Sequence, residues 1–133
     1  MLAYEDAGAA ADWLCHAFGF DEDVSARRTG PEGTVTHAEL AYDGGRIFLA
    51  TPNEHYQSPK HHRRGCRAAN RWLDNPWVID GVFVEVAGLA AHCDRARAAG
   101  ATIIREPEEP GVGFQIYSAE DPEGHRWMFG AAA

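Results

Sequence analysis

Two segments of the chain carry apolar side chains at the three- and four-residue spacing of an amphipathic helix. The first covers about residues 7–18, with Asp6 as its N-cap and Gly19 as its left-handed stop. The second covers about residues 88–99 and ends at Gly100. Both helices are expected between short strands, which cover Leu2–Tyr4, Asp23–Arg28, Gly81–Val86 and Ala101–Arg105.

An alternation of apolar and polar positions predicts two β-hairpins. Val35–Tyr42 alternates with a period of two, and Asp43 with Gly44 is a strong signal for a tight turn. Gly45–Ala50 is then the returning strand. The second hairpin is expected to pair Phe114–Ala119 with His125–Phe129 across the turn DPEG at residues 121–124.

The two halves of the chain repeat one another. GGRIFLA at 44–50 aligns with GHRWMFG at 124–130, at an offset of 80 residues, and the helix stops Gly19 and Gly100 are 81 residues apart. We therefore predict a single α+β domain built from two tandem βαβββ units. The first unit covers 1–50 and the second covers 80–133; the connector, 51–79, has a possible short helix at Gly65–Leu73.

Composition narrows the class of partner. A chain of 133 residues has room for one domain, and its formal net charge of −8 argues against nucleic acid and anionic membranes as partners. No apolar run approaches the ~20 residues of a transmembrane helix. Cys15, Cys66 and Cys93 form neither a disulfide framework nor a zinc motif, so reduced thiols and a cytoplasmic location are expected.

Four segments carry a family resemblance: DAGAAADWLCHAFGF at 6–20, HAELAYDGGRIFLA at 37–50, GVFVEVAGLAAHCDRARAAGATI at 81–103 and AEDPEGHRWMFG at 119–130. They resemble the vicinal-oxygen-chelate (glyoxalase/bleomycin-resistance/dioxygenase-like) superfamily, most of all its phosphonate-metabolism-like, glyoxalase-related branch. The resemblance covers nearly the whole chain outside the connector. It implies sheets that curl into an open, barrel-like cleft with helices outside, and a homodimer.

The resemblance also locates the metal ligands of the superfamily, on the first and last strands of each unit. The last-strand positions correspond to Phe48 and Met128, and the first-strand position of the second unit to Val82. The fourth position falls before Met1. None of these side chains suits a divalent metal, which prefers imidazole, carboxylate or thiolate, so we predict no metal and no other cofactor.

Strand alternation predicts the remaining lining of the cleft. If Phe48 and Met128 face it, Ile47, Leu49, Trp127 and Phe129 face the helices. The tight turn then pairs Glu39 with Phe48, and the 80-residue repeat extends the lining into the second unit. The predicted polar groups are His37, Glu39, Arg46, Gln115, Tyr117 and Arg126, over an apolar floor that includes Val82, Val84 and Val86.

These residues allow two interpretations. His37 and Glu39 are candidates for a general acid–base pair, with Arg46 or Arg126 holding an anionic oxygen of a substrate. An ion pair between Glu39 and either arginine accounts for the same residues without any function. The basic stretch around His61 is expected to be a solvated loop rather than a metal or anion site, since it matches no zinc pattern.

Three hypotheses of function follow. The first is a metal-free protein that binds a small molecule in its cleft, as in the bleomycin-resistance branch, where a dimer sequesters its ligand without turnover. The alternative is a lyase, isomerase or dioxygenase-like enzyme that uses His37 and Glu39 or a non-standard metal site. The third is a module that binds a protein partner. Metal retention and the openness of the cleft discriminate among them.

Overall fold

The computed structural model describes residues 1–74 and 81–132, and the chain forms two compact units, Met1–Ser58 and Pro59–Ala133. The predicted connector is therefore shared, because residues 51–58 belong to the first unit and the residues from Pro59 onward to the second. None of the helices in the described ranges is long and apolar enough to cross a lipid bilayer.

The first unit is a mixed sheet with one long helix. Its strand order is β1-β5-β4-β2, with β3 also paired to β4; β1 runs parallel to β5 and the other pairs are antiparallel. Short 3₁₀ turns cover Val24–Ala26 and Pro31–Gly33. The elements are β1 (Leu2–Ala3), α1 (Ala7–Phe18), β2 (Asp21–Glu22), β3 (Arg28–Thr29), β4 (Val35–Tyr42) and β5 (Gly45–Ala50).

The second unit repeats this arrangement after two short helices and a 3₁₀ turn at Arg71–Asp74. Its strand order is β6-β9-β8-β7, with β6 parallel to β9. The elements are α2 (Pro59–Gly65), α3 (Arg67–Asn70), β6 (Gly81–Glu85), α4 (Leu89–Ala98), β7 (Thr102–Glu108), β8 (Phe114–Glu120) and β9 (Arg126–Ala132). The predicted α+β class and the two tandem βαβββ units are confirmed.

The predicted helix ends are confirmed in α1. The Asp6 carboxylate accepts a hydrogen bond from the Ala9 N–H at 2.9 Å, which satisfies one of the free donors of the first turn. Gly19 adopts a φ of 78° and donates its N–H to the Cys15 carbonyl, so it ends the helix in the left-handed conformation that glycine adopts without strain.

Each sheet packs one face against its helix. In the first unit Leu14 and Phe18 of α1 are fully buried, together with Ala38, Leu40 and Leu49 of the sheet. In the second unit Leu89, Cys93 and Ala96 of α4 are buried with Tyr117, Trp127 and Phe129. We call this side of each sheet its helix face, and the side that carries the alternate residues its far face.

Two local predictions were wrong. The strand expected over Asp23–Arg28 is interrupted, because the Asp23 carboxylate accepts hydrogen bonds from the Ser25 N–H at 3.1 Å and the Ser25 hydroxyl at 2.6 Å and turns the chain. The helix expected over Gly65–Leu73 begins only at Arg67, behind a Cys66 cap, and α2 precedes it. The all-polar sequence of α2 carries no apolar stripe, which is why periodicity missed it.

Candidate functional site

A two-residue turn sets the register of the first hairpin. Tyr42 pairs with Gly45, and Asp43 and Gly44 between them have φ values of 42° and 80°, as a type I′ turn requires. Glu39 consequently lies opposite Phe48, as predicted. Since Ala38, Leu40 and Leu49 form the helix face, the predicted residues His37, Glu39, Arg46 and Phe48 share the far face.

The polar residues on this far face form one chain of contacts. Arg46 Nη1 donates to Glu39 Oε2 at 3.1 Å, and His37 Nε2 lies 3.1 Å from Glu39 Oε1. Both carboxylate oxygens are therefore engaged. The side chains of His37 and Glu39 are 28% and 20% exposed, so the pair is partly desolvated yet still reachable from solvent.

An aromatic ring lies beside this chain of contacts. The His37 ring is tilted against Phe48, with 5.7 Å between the ring centroids, and Phe48 remains 36% exposed. When His37 Nε2 carries the proton, it donates to Glu39 and leaves Nδ1 as the basic nitrogen. The far face of the first sheet thus offers an apolar surface, a basic nitrogen and a guanidinium side by side.

The second hairpin turns through a longer loop. The Asp121 carboxylate accepts the backbone N–H groups of Glu123 and His125 at 3.1 and 3.0 Å, and its other oxygen accepts the Trp127 indole N–H at 3.1 Å. This five-residue loop, 121–125, places Glu120 opposite Arg126. Ser118 then lies opposite Met128.

The prediction that Tyr117 and Gln115 share a face with Met128 was wrong. Tyr117 lies opposite Phe129 on the helix face, fully buried, and its hydroxyl is 2.7 Å from His92 Nδ1 in α4. Gln115 is two residues before Tyr117 and therefore lies on the same side of β8. Arg46 and its partner Ala41 are five residues apart, whereas Arg126, which the repeat aligns with Arg46, is six residues from its partner Glu120. This difference of one residue reverses side-chain parity.

The placement of Val82 and Val84 was also wrong. In the parallel pair β6–β9 they lie opposite Trp127 and Phe129, so they belong to the helix face. Phe83 takes the far face instead and is 53% exposed. Its ring lies over Gly130, where an added Cβ would come within 2.7 Å of the Phe83 Cζ atom. An uninterrupted apolar run in β6 gave no alternation from which this could be predicted.

Arg126 lies on the far face of the second sheet, as predicted, within a buried charged cluster. Its Nε donates to Glu120 Oε1 at 3.4 Å. The Arg63 guanidinium of α2 contacts both oxygens of the same carboxylate, at 3.3 and 3.2 Å. Arg63 was not predicted to contribute to a site, because the basic stretch that contains it was interpreted as a solvated loop.

A backbone contact seats α2 beside this cluster. The Lys60 N–H donates to the Glu123 carbonyl at 3.0 Å. Gly124, with a φ of 87°, makes this approach possible, because a Cβ there would lie 2.8 Å from the Lys60 nitrogen. The glycine of the DPEG turn therefore brings the Arg63 side chain to Glu120.

The donor groups on these strands do not fit a divalent metal. Phe48 and Met128, at the last-strand positions, lie on the far faces and offer at most a weak thioether sulfur, while Val82 faces the helix. Within residues 1–74 and 81–132, no three histidine, cysteine, aspartate or glutamate side chains group closely enough to hold a metal ion. We therefore derive no chemical step through a metal.

Comparison with known proteins gives the family. The model of the Glyoxalase/Bleomycin resistance protein/Dioxygenase superfamily matches residues 1–129. The chain belongs to this superfamily. Among curated relatives, the uncharacterized protein Rv0887c of Mycobacterium tuberculosis is 28% identical in an alignment of 133 positions, which covers 97% of this chain and 70% of that protein.

Solved structures of the superfamily share the fold. TioX from Micromonospora sp. ML1 is 30% identical, with a TM-score of 0.71 over 99% of this chain and 94% of that one. A family enzyme from Burkholderia phytofirmans PsJN is 18% identical (TM-score 0.68, covering 100% and 96%), and the fosfomycin resistance protein FosX of Listeria monocytogenes is 10% identical (TM-score 0.64, covering 100% and 90%). At those identities, the last two support the fold alone.

Proposed function

We propose that this protein binds a small molecule on the far face of its first sheet and holds it without a divalent metal centre. The observation that carries the proposal is the half-exposed chain Arg46–Glu39–His37 beside the exposed ring of Phe48. Small-molecule sites combine apolar surface with a few oriented polar groups, which is the composition of this face.

The contacts explain how such a ligand would be oriented. Glu39 engages His37 through one oxygen and Arg46 through the other, so each of these side chains is held in one direction. Phe48 supplies a flat apolar surface, on which an aromatic group of a ligand would stack. The superfamily includes bleomycin resistance proteins, whose name is in keeping with a binding role.

Chemical-shift mapping by ¹H–¹⁵N NMR tests this proposal, with a library of neutral and cationic aromatic compounds as probes. We expect at least one compound to shift the amide resonances of residues 35–50, and Phe48→Ala to abolish the effect. Val24→Ala is the matched control, since Val24 is 70% exposed in the same unit but outside β4 and β5. A library that leaves residues 35–50 unchanged contradicts the proposal.

The metal-free part of the proposal has its own test. The purified protein is incubated with Ni²⁺, Zn²⁺, Mn²⁺ and Fe²⁺, dialysed and subjected to elemental analysis. We expect less than stoichiometric retention, because the described residues offer no three-ligand group. Retention of one equivalent per chain would show that other residues bind a metal, and glyoxalase and dioxygenase assays would follow.

The distance of 3.1 Å between His37 Nε2 and Glu39 Oε1 favours a second candidate function, acid–base catalysis of the lyase or isomerase type. Glu39 would orient the ring, and Nδ1 of His37 would move the proton. The probe is methylglyoxal with glutathione, followed by NMR. Turnover that His37→Ala retains in full would remove His37 from the mechanism, whereas loss in His37→Ala and Glu39→Gln together would support the pair.

We also propose a homodimer and a cytoplasmic location, as the family resemblance and the three free cysteines suggest. Light scattering coupled to gel filtration distinguishes a dimer from a monomer of 14.5 kDa. A monomer at all concentrations would contradict the dimer and leave the binding proposal intact, because the residues that carry it lie within one unit.

A further inference from the structure

The second unit contains a buried guanidinium with unused hydrogen-bond donors. Arg126 is 7% exposed, and the only hydrogen bond of its side chain among the described residues joins Nε to Glu120. Its two terminal nitrogens, Nη1 and Nη2, are buried and have no hydrogen-bond partner in the described part of the chain. Arginine is charged at any physiological pH, so this is a buried cation with two donors to spare.

Among the described residues, the charges around Arg126 do not balance. In this part of the chain two guanidinium groups, those of Arg63 and Arg126, contact one carboxylate, that of Glu120. The side chains of Arg63 and Glu120 are only 12% and 9% exposed, so solvent screens the excess positive charge poorly. A buried charge without a partner strongly disfavours the folded state, and a group that neutralises it is correspondingly favoured.

We propose that this cluster, Arg63, Glu120 and Arg126, binds an oxyanion group of a small molecule, either a carboxylate or a phosphate. Nη1 and Nη2 of Arg126 would donate to two of its oxygens, the two-pronged geometry that guanidinium offers to planar anions. Glu120 holds Arg126 by Nε and so leaves the terminal nitrogens for the ligand. The site lies in the second unit, and the proposal stands whether or not the first unit binds a ligand.

The short helix α2 provides the route of access. Both terminal nitrogens are buried, so an anion reaches them only when a neighbouring element moves. None of the residues of α2 is buried, and the contacts of the helix include the hydrogen bond from the Lys60 N–H to Glu123 and the pair of Arg63 with Glu120. A short helix without a buried residue opens at a lower cost in free energy than an element of the core. Its displacement would open a path to Nη1 and Nη2 of Arg126, and its return would bring Arg63 back to the cluster around the bound anion.

Thermal unfolding at low ionic strength tests the proposal with three probes of similar size: benzoate, phenyl phosphate and the neutral benzyl alcohol. We expect benzoate or phenyl phosphate to raise the Tm of the wild-type protein, and benzyl alcohol to leave it unchanged. Which anion acts distinguishes a carboxylate site from a phosphate site. In Arg126→Met the affinity for the anion should fall roughly tenfold or more, since a charge-assisted pair of hydrogen bonds is lost.

Two further variants keep the test decisive. Arg126→Lys retains the charge but loses the two-pronged geometry, so anion binding should be weakened rather than abolished. Arg97→Met is the control, because the Arg97 side chain is 49% exposed in a pair with Glu106 and should leave anion binding unchanged. If Arg126→Met does not fold, Arg126→Lys provides the comparison.

Three outcomes would overturn the proposal. One is that neither anion raises the Tm of the wild type. Another is that both anions stabilise Arg126→Met as much as the wild type, which indicates non-specific binding elsewhere. The third is that benzyl alcohol stabilises as well as benzoate. None of these affects the first-unit proposal, which is judged by the amide shifts of residues 35–50.

Discussion

The sheets of the two units have the same strand order, but the charged side chains on their far faces differ in their exposure to solvent. In the first sheet Arg46, Glu39 and His37 form a chain of contacts that is partly exposed to solvent. In the second, Glu120 and Arg126 are more than nine-tenths buried. The repeat of the fold therefore does not repeat the electrostatics: solvent screens the interactions of Glu39 in the first unit more than those of Glu120 in the second.

The largest effect expected from this comparison concerns the helix faces. Trp127→Ala should lower the free energy of unfolding by about 3–5 kcal/mol, because Trp127 is 1% exposed and also anchors the Asp121 loop. Ile47, its counterpart in the repeat, is only half-buried, so Ile47→Ala should cost clearly less. Urea denaturation measures both. Equal losses would mean that the two helix faces are packed alike.

Removal of the two carboxylates tests the difference in coupling directly. Glu120→Gln leaves two guanidinium groups together in a buried cluster and should destabilise the protein by about 3–5 kcal/mol. Glu39→Gln should cost about 1 kcal/mol or less, because its partners are more exposed. Urea titrations at low and high salt provide the measurement; a loss for Glu39→Gln as large as for Glu120→Gln contradicts the distinction.

The helices of the two units each contain a cysteine, and the alkylation rates of these two thiols compare the burial of the helices. Burial raises the pKa of the Cys15 thiol in α1, with a further contribution from Glu22, and burial is also the main cause of the raised pKa of Cys93 in α4. Only thiolate reacts with iodoacetamide, so both cysteines should react more slowly than free cysteine at pH 8. Cys93 is 1% exposed and should be the slower. Peptide mass spectrometry follows both; faster labelling of Cys93 contradicts its burial.

The smallest effects concern exposed carboxylates. A hydrogen bond from Ser25 lowers the pKa of Asp23 in the first unit, and one from Arg97 lowers the pKa of Glu106 in the second. A lowered folded-state pKa contributes stability above the unfolded pKa, and this contribution is lost as the pH falls through the folded pKa. Urea denaturation at a series of pH values measures this contribution: in Asp23→Asn and in Glu106→Gln, acidification should lower the free energy of unfolding slightly less than in the wild type.

The success of prediction differed between the units for a physical reason. In the first, Asp43 and Gly44 announce a two-residue turn, and that turn alone fixes which residues share a face, so His37, Glu39, Arg46 and Phe48 were placed correctly. In the second, the repeat was extended at a constant offset across a loop of different length. The spacing between Arg126 and its partner Glu120 is one residue longer than that between Arg46 and its partner Ala41, so Tyr117 and Gln115 lie on the other face.

The buried cluster illustrates a second limit of sequence reasoning. The position of Arg126 on the far face was predicted from alternation along β9. Arg63, in contrast, lies in a stretch without apolar periodicity, and it reaches Glu120 because α2 is hydrogen-bonded to the DPEG turn. A contact between residues 57 positions apart leaves no local signal. Fold class, helix ends and hairpins were accessible from pattern, whereas this tertiary contact was not.

Gly130 has a consequence for engineering the molecule. The Phe83 ring occupies the space that a side chain at Gly130 would fill. The atom that an added methyl group would contact is Cζ of Phe83, at the end of a rotatable and half-exposed side chain. Gly130→Ala would therefore displace the Phe83 ring toward solvent without substituting any charged residue. One methyl group would thus change the shape of the far face of the second sheet and leave its charges the same.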